Sequence, residues 1–556
     1  MSTINRYVLI FALVTLFYGC ASRQSPPVPQ SQGMVVAAHP VAAKLGYEIL
    51  QSGGNAVDAA VATAITLGVV EPHASGLGGG GGMLIYLNEP HKLTYINYYP
   101  RAGDSIPDTF DSKTDGQSAK AVLVPGTVSG LSMALEKYGT MSWKQILELS
   151  IETLNRGFEV DDHFNKVILD SYGTLTSYPE TESIFLNEMM PFEVGDTLLN
   201  GVALRTLKIL ADEGPRAFYT GELADSIEAV MIRRGGFIRK SDMESYQATE
   251  STPVQSDYRG HLIVSSPPPQ SGLTLLEILN ILEQRDLLSM GVYFEQASTF
   301  HLMAEAIKLG YADRREYLGD PAFSEIPVST LANDDYARSR FATIDMNAIS
   351  NSDSSATQSG SVKTFNGEPH EDPNGSTTHI SVVDSEGNAV SLTQTISYFW
   401  GSGISVGGFL LNNAMTSFSK DGGPNTLAPG KQPRSTISPS FIFRDKKLYA
   451  VVGTPGGGRI PGTMTEIVTN IIDFGASAES ANNAPRFHSS DISPKLRVES
   501  RFDQTVLDEL ILKGHIVETM GDMDSYFGGV HVIIIDPESG LQGSADPRRS
   551  GVVAGH

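Results

Sequence analysis

Thr377-Thr378-His379-Ile380-Ser381-Val382-Val383-Asp384, continued by Ser385-Glu386-Gly387-Asn388 and Ala389-Val390-Ser391-Leu392-Thr393-Gln394-Thr395, is the stretch on which the reading of this chain turns. Residues 379–382 and 389–395 are rich in strand formers, and turn formers separate them, which predicts an antiparallel hairpin. Upstream the character changes. Residues 350–361 are rich in Ser with Asp, Thr and Gln, and almost no large apolar residue appears before Val362. Such a stretch buries too little to order itself, so 350–376 is expected to be a flexible segment or a linker between domains. Thr377 stands where this segment meets the hairpin. A threonine hydroxyl is a poor nucleophile without a neighbouring base. A cut between Ser376 and Thr377 would make the α-amine of Thr377 that base, with a reference pKa of about 8. Taken alone, two threonines at a strand start also fit plain β-propensity.

Working outward, short strands are expected at 409–411, 441–443, 448–452 and 530–535, and a helix over about 463–474. Towards the N-terminus, Val41, Leu45 and Ile49 recur at helical spacing up to Gly53-Gly54. Asn55 can cap a second helix with the stripe Val57, Val61 and Ile65 and with Asp58 in its first turn. The run Gly78 to Gly82 leads into a strand at Met83-Leu84-Ile85-Tyr86 and lacks the Gly-Lys-Ser/Thr ending of a phosphate loop, so close backbone packing explains it better. The middle third, 142–318, reads as mainly helical, with Ser266-Pro267-Pro268-Pro269 interrupting it. The chain is thus mixed, with its strands concentrated in the last third.

The chain has 556 residues, a net charge of -23 and one cysteine, Cys20. That charge repels nucleic acid. A single cysteine excludes an internal disulfide and a Cys-rich zinc site. The 12 histidines show no HExxH spacing, so a metal-dependent hydrolase is not expected, and no cofactor is. Residues 1–20 read as a signal peptide, with Arg6 ahead of an apolar run too short to span a membrane. Its end, Phe17-Tyr18-Gly19-Cys20, is similar to a lipobox, in which Cys20 would be lipidated. An ordinary secretory signal is the alternative. Residues 21–32 read as a flexible tether. Export to a bacterial periplasm, membrane-anchored through lipid, is the expectation.

Together the motifs resemble the gamma-glutamyltransferase (gamma-glutamyltranspeptidase, glutathione hydrolase) family of N-terminal-nucleophile hydrolases. The resemblance begins at Thr377 to Asp384 and Glu386 to Val390. Leu410-Leu411-Asn412-Asn413, Ser438-Pro439, Thr454-Pro455-Gly456-Gly457, Asn483 to His488 and Asp546-Pro547-Arg548-Arg549-Ser550-Gly551 continue it in family order. Gly53 to Ala60, Leu77 to Gly81, Val124 to Thr127 and Met303 to Pro321 match the upstream part. The resemblance implies an α+β, four-layer αββα fold. It implies a proenzyme that cuts itself before Thr377 into a large subunit (33–376) and a small one (377–556), paired as an intertwined heterodimer. Thr377 would be the nucleophile, Thr395 would orient it, and Gly456 and Gly457 would form the oxyanion hole. The substrate would be a small-molecule amide or gamma-glutamyl compound, with water or an amine as acceptor.

The substrate pocket departs from the family pattern. Tyr99 falls where members carry the arginine that grips the donor carboxylate, and Arg101 lies two residues on. The family's serine pair aligns with Ser435 and Thr436. On the amine side the polar and acidic positions align with Ser397, Ala414 and Ser417, so no carboxylate remains to pair with an ammonium. A Thr-dependent acylase for non-glutamyl amides is therefore an alternative. A catalytically silent binding protein on the same fold is an alternative of another class.

Overall fold

The architecture was read from a computed structural model that describes residues 33–350, 375–420, 422–490 and 493–555. The expected signal peptide with Cys20, the tether and most of the segment before Thr377 lie outside the described residues.

Two antiparallel sheets stack face to face. The first has seven strands in the order Val552–Gly555, Gly33–Ala37, Thr378–Asp384, Ala389–Thr395, Gly80–Leu87, Lys92–Asn97 and Thr249–Ser251. The second has six, in the order Gly540–Ala545, His531–Asp536, Lys447–Gly453, Ser440–Arg444, His261–Ser265 and Val254–Tyr258. Strand alternation builds three apolar layers from these two sheets. Met34, Val36, Leu84, Tyr86 and Val383 point between the sheets, where they meet Phe441, Phe443, Val451 and Ile533. Their neighbours Val35, Ala37, Ile85, Ile380, Val382 and Val390 point the other way, into a core with the helices Pro40–Gln51 and Ala56–Val70. Ile263, Ile442, Val452 and Val532 face a third core with the helices Gly272–Glu283, Ala297–Tyr317 and Ile460–Ile472. The layers run helix, sheet, sheet, helix. Among the described residues no helix is long and apolar enough to cross a membrane.

Local chemistry sets the first two helices. Gly53 ends the first with φ +90°. Asn55 caps the second in a capping box with Asp58, whose carboxylate also accepts from Thr140 and Met141. The expected stripe of Val57, Val61 and Ile65 is only part of what this helix buries. All 15 of its residues are buried, because strands and helices surround it. The glycine run packs backbone on backbone: a Cβ on Gly78 would lie 2.1 Å from the Leu410 carbonyl oxygen and one on Gly79 2.3 Å from that of Thr395.

The middle third holds more strand than its helical reading expects. Val254–Tyr258 and His261–Ser265 form a hairpin at the edge of the second sheet, and Thr249–Ser251 closes an edge of the first. Arg259 and Gly260 both adopt positive φ in the two-residue turn between the hairpin strands. Val254–Tyr258 is half exposed and correspondingly polar, so its sequence lacks a strand's apolar signature. Gly33–Ala37, in the interior of the first sheet, also escapes the sequence reading.

Candidate active site

Thr377 immediately precedes the strand Thr378–Asp384, and Thr395 ends the neighbouring strand. The hairpin register, with Thr378 opposite Gln394, brings the two threonines together. Both are 3% exposed, and their hydroxyl oxygens are 3.2 Å apart. In the uncleaved chain both hydroxyls converge on one carbonyl. Thr395 Oγ1 donates to the Ser376 oxygen at 2.8 Å, and Thr377 Oγ1 donates to the same atom. Thr395 Oγ1 also accepts the Ser397 N–H at 2.8 Å, which fixes its rotamer. Ser376 is anchored in turn: its hydroxyl lies 2.9 Å from the carbonyl oxygens of both His73 and Ala74. His73 serves through its carbonyl. Its ring is packed against Phe164, Phe399 and Trp400, and burial holds its pKa well below the usual imidazole value.

Gly456 and Gly457 approach from the second sheet, where Thr454-Pro455 follows the strand Lys447–Gly453. Both have positive φ, +141° and +55°. Gly375, the residue before Ser376, lies directly on them: a Cβ added to it would stand 2.7 Å from Gly457 N. The structure therefore brings together Thr377, Thr395, Ser376 and the Gly456-Gly457 turn.

Arg549 is the residue that sequence reasoning missed. It was visible only as one letter of the Asp546 to Gly551 motif. Its guanidinium donates to the Gly375 carbonyl oxygen at 3.2 Å and to that of Thr377 at 3.4 Å, so it spans the Ser376–Thr377 bond. The neighbouring Arg548 holds this segment in place. It pairs with Glu499 at 2.5 and 2.9 Å and with Asp546 at 3.1 Å, and Arg486 meets Asp546 at 2.6 Å, all buried. Burial alone would raise the Asp546 carboxyl, but Arg486 and Arg548 hold it below the usual carboxylate range. Glu71, at the end of the helix Ala56–Val70, shows the opposite: burial lifts its carboxyl to about 7 against the pull of Arg549.

The residues expected to bind substrate are more scattered in their attachments. Tyr99 is buried in the third core, and its carbonyl accepts from Tyr246 and Gln432. Arg101 turns its guanidinium to the Ser245 carbonyl, 3.2 Å away, and over the face of Tyr246. Ser435 is buried, with its backbone tied to Pro269 and Ser271 and its hydroxyl accepting the Ile437 N–H. The Thr436 carbonyl accepts from Ser438. Ser397 has φ +83°, and its buried hydroxyl has no hydrogen-bond partner among the described residues. The Ser417 carbonyl accepts from Asn425. Asn412 and Asn413 act structurally, bonding to the backbone of Gly78 and Leu123 and of Gly116.

The profile of the family described as gamma-glutamyltranspeptidase matches residues 42–556. The chain belongs to this family. Among gamma-glutamyltranspeptidase relatives, the glutathione hydrolase proenzyme of Escherichia coli (strain K12) is 39% identical, over 96% of this chain and 93% of the relative. The acylase ACY 1 proenzyme of Pseudomonas sp. (strain SE83) is 32% identical, over 95% of this chain and 94% of the relative. Among solved structures, the cephalosporin acylase from Bacillus halodurans superposes with a TM-score of 0.84 at 29% identity, covering 96% of this chain and 98% of that one. The layered α+β architecture is thus the N-terminal-nucleophile hydrolase fold of gamma-glutamyltranspeptidases and their acylase relatives.

Proposed function

We propose that this chain is a gamma-glutamyltranspeptidase-type proenzyme that cuts itself between Ser376 and Thr377 and then transfers acyl groups through Thr377. The observation that carries this reading is the convergence of the Thr377 and Thr395 hydroxyls on the Ser376 carbonyl inside a buried site. In self-cleavage, Thr377 Oγ1 adds to the Ser376 carbonyl carbon while Thr395 donates to the developing oxyanion. The C–N bond breaks, the amine leaves as the free terminus of Thr377, and water hydrolyses the resulting ester. In turnover, the new amine takes the hydroxyl proton as Thr377 attacks the substrate amide. The amides of Gly456 and Gly457, which Gly375 covers in the uncleaved chain, hold the oxyanion. Water as acceptor gives hydrolysis, and an amine gives transpeptidation. The large and small subunits remain paired as a heterodimer.

Gel electrophoresis under denaturing conditions with intact mass measurement tests this directly. Two chains, the smaller starting at Thr377, are expected for the wild type and one chain for Thr377→Ala. An uncut polypeptide with full activity overturns the proposal.

The leading donor is a gamma-glutamyl compound such as glutathione. A second reading, an acylase for non-glutamyl amides, is favoured by the engagement of Arg101 with Ser245 and Tyr246 and by the absence of a carboxylate at Ser397, Ala414 and Ser417. Comparing a gamma-glutamyl anilide with glutaryl and aliphatic anilides separates the two. Preference for the first supports the gamma-glutamyl reading, and preference for glutaryl, which lacks the amine, supports the acylase. Export with lipid attachment at Cys20 completes the proposal; fatty-acid labelling lost in Cys20→Ala is the expected result.

A further inference from the structure

Outside the candidate active site, three buried side chains converge. His301 and Glu305 lie one turn apart on the helix Ala297–Tyr317, and His515 follows the helix Gln504–Leu512. Their ligating atoms all lie within 4.8 Å of one another. His301 Nδ1 is 2.8 Å from His515 Nε2, and His301 Nε2 is 2.8 Å from the Asp345 carbonyl oxygen. A carbonyl only accepts, so Nε2 of His301 carries the proton and Nδ1 presents its lone pair to the cluster. A metal-bound imidazole is held in this way, with its second N–H on a carbonyl. Glu305 is oriented by the Ser350 N–H at 2.9 Å and by Lys308 Nζ at 2.9 Å, and each carboxylate oxygen retains a further lone pair.

We propose that His301, Glu305 and His515 bind a divalent transition-metal ion of the zinc class, with water in the fourth position. Two imidazoles and a carboxylate are a donor set suited to this ion. Bonds of about 2.0–2.1 Å at tetrahedral angles separate ligand atoms by about 3.3 Å, so the two imidazole nitrogens need part by only about half an ångström. Lys308, whose side chain is 20% exposed, neutralises Glu305 when no ion is bound and can swing to solvent when one is. Tyr311, on the same helix, donates to the Gly458 carbonyl beside the oxyanion turn. Glu305 and His301 lie six and ten residues before Tyr311, a rise of about 9–15 Å along the helix, so the role assigned to the ion is structural.

His301 and Glu305 precede Ser376, whereas His515 follows it. On the cleavage proposed above, the ion would link the two chains. The binding itself does not depend on that cleavage.

The test uses the full purified protein, stripped with a chelator and titrated with Zn²⁺ or Co²⁺. One ion retained per molecule after desalting is expected, with visible ligand-field bands for Co²⁺ and a melting midpoint that rises with Zn²⁺ concentration. His515→Ala and Glu305→Gln are expected to weaken binding by at least about tenfold and to remove the rise. Removing His301 also strands the Asp345 carbonyl, so Glu305→Gln, nearly isosteric, guards against a variant that fails to fold. Thr377→Ala is expected to bind as the wild type does, which separates this proposal from the self-cleavage one. No retained ion in the wild type, or retention undiminished in both variants, overturns the proposal and leaves a hydrogen-bonded histidine pair.

Discussion

Thr395 meets Thr377 hydroxyl to hydroxyl at 3.2 Å from the next strand, and its own proton goes to the Ser376 carbonyl. On the self-cleavage proposed above, Thr395 would polarise the bond that Thr377 attacks. Thr395→Val keeps the shape and removes the donor. Self-cleavage is expected to slow by about 10²–10³, the usual cost of one oxyanion donor. Thr395→Ser is expected to retain most of the rate. A time course of freshly purified precursor on denaturing gels reads both.

Arg549 holds the carbonyls of Gly375 and Thr377 together. A lysine cannot span the two with the planar fork of a guanidinium. Arg549→Lys is expected to fold, because the anchoring pairs of Arg548 are untouched, and to process at least about tenfold more slowly for loss of near-attack geometry. The ratio of cut to uncut chain, with the melting temperature as control, checks this.

His531 is buried in the second sheet, with Nδ1 2.6 Å from the His379 carbonyl oxygen. Burial lowers its pKa to about 4. The unfolded imidazole, near about 6.5, takes up its proton first as pH falls. Stability is therefore fully present above about pH 6.5 and declines between there and about pH 4, by on the order of 3 kcal/mol for this one group. Urea unfolding at pH 7 and pH 5 should show a smaller loss in His531→Gln than in the wild type.

Gly79 couples the fold to the site. A Cβ there would lie 2.3 Å from the Thr395 carbonyl oxygen, so the strand carrying Thr395 must move. Gly79→Ala is expected to abolish self-cleavage and lower the melting temperature. Gly53→Ala meets open space and strains only its own backbone at φ +90°, a cost of about 1–2 kcal/mol. Comparing the two variants by gel and thermal melt separates steric from conformational effects.

The hairpin, the capped helix after Asn55 and the tight glycine run were legible because each is a local pattern: alternation, a side-chain cap, or a run of residues without Cβ. Thr377 was legible through its position before the hairpin and through the ordered motifs around it. Arg549 was not, because its partners Gly375 and Thr377 lie more than 170 residues away in sequence. The pair His301 and His515, separated by 214 residues, was hidden for the same reason. The strand Val254–Tyr258 was missed because its exposed edge leaves little apolar signal.

The first sheet interleaves segments from both sides of residue 376: Gly33–Ala37 sits between Val552–Gly555 and Thr378–Asp384, and Gly80–Leu87 is seamed to Ala389–Thr395. If the chain is cut after Ser376 as proposed, folding before the cut is a first-order event in which every strand is tethered to its neighbours. After it, the same sheet can form again only when two separate polypeptides meet, each exposing unpaired edges that invite aggregation. On that cleavage, maturation would be a ratchet: the working protein would persist by the height of its unfolding barrier and not by its capacity to refold.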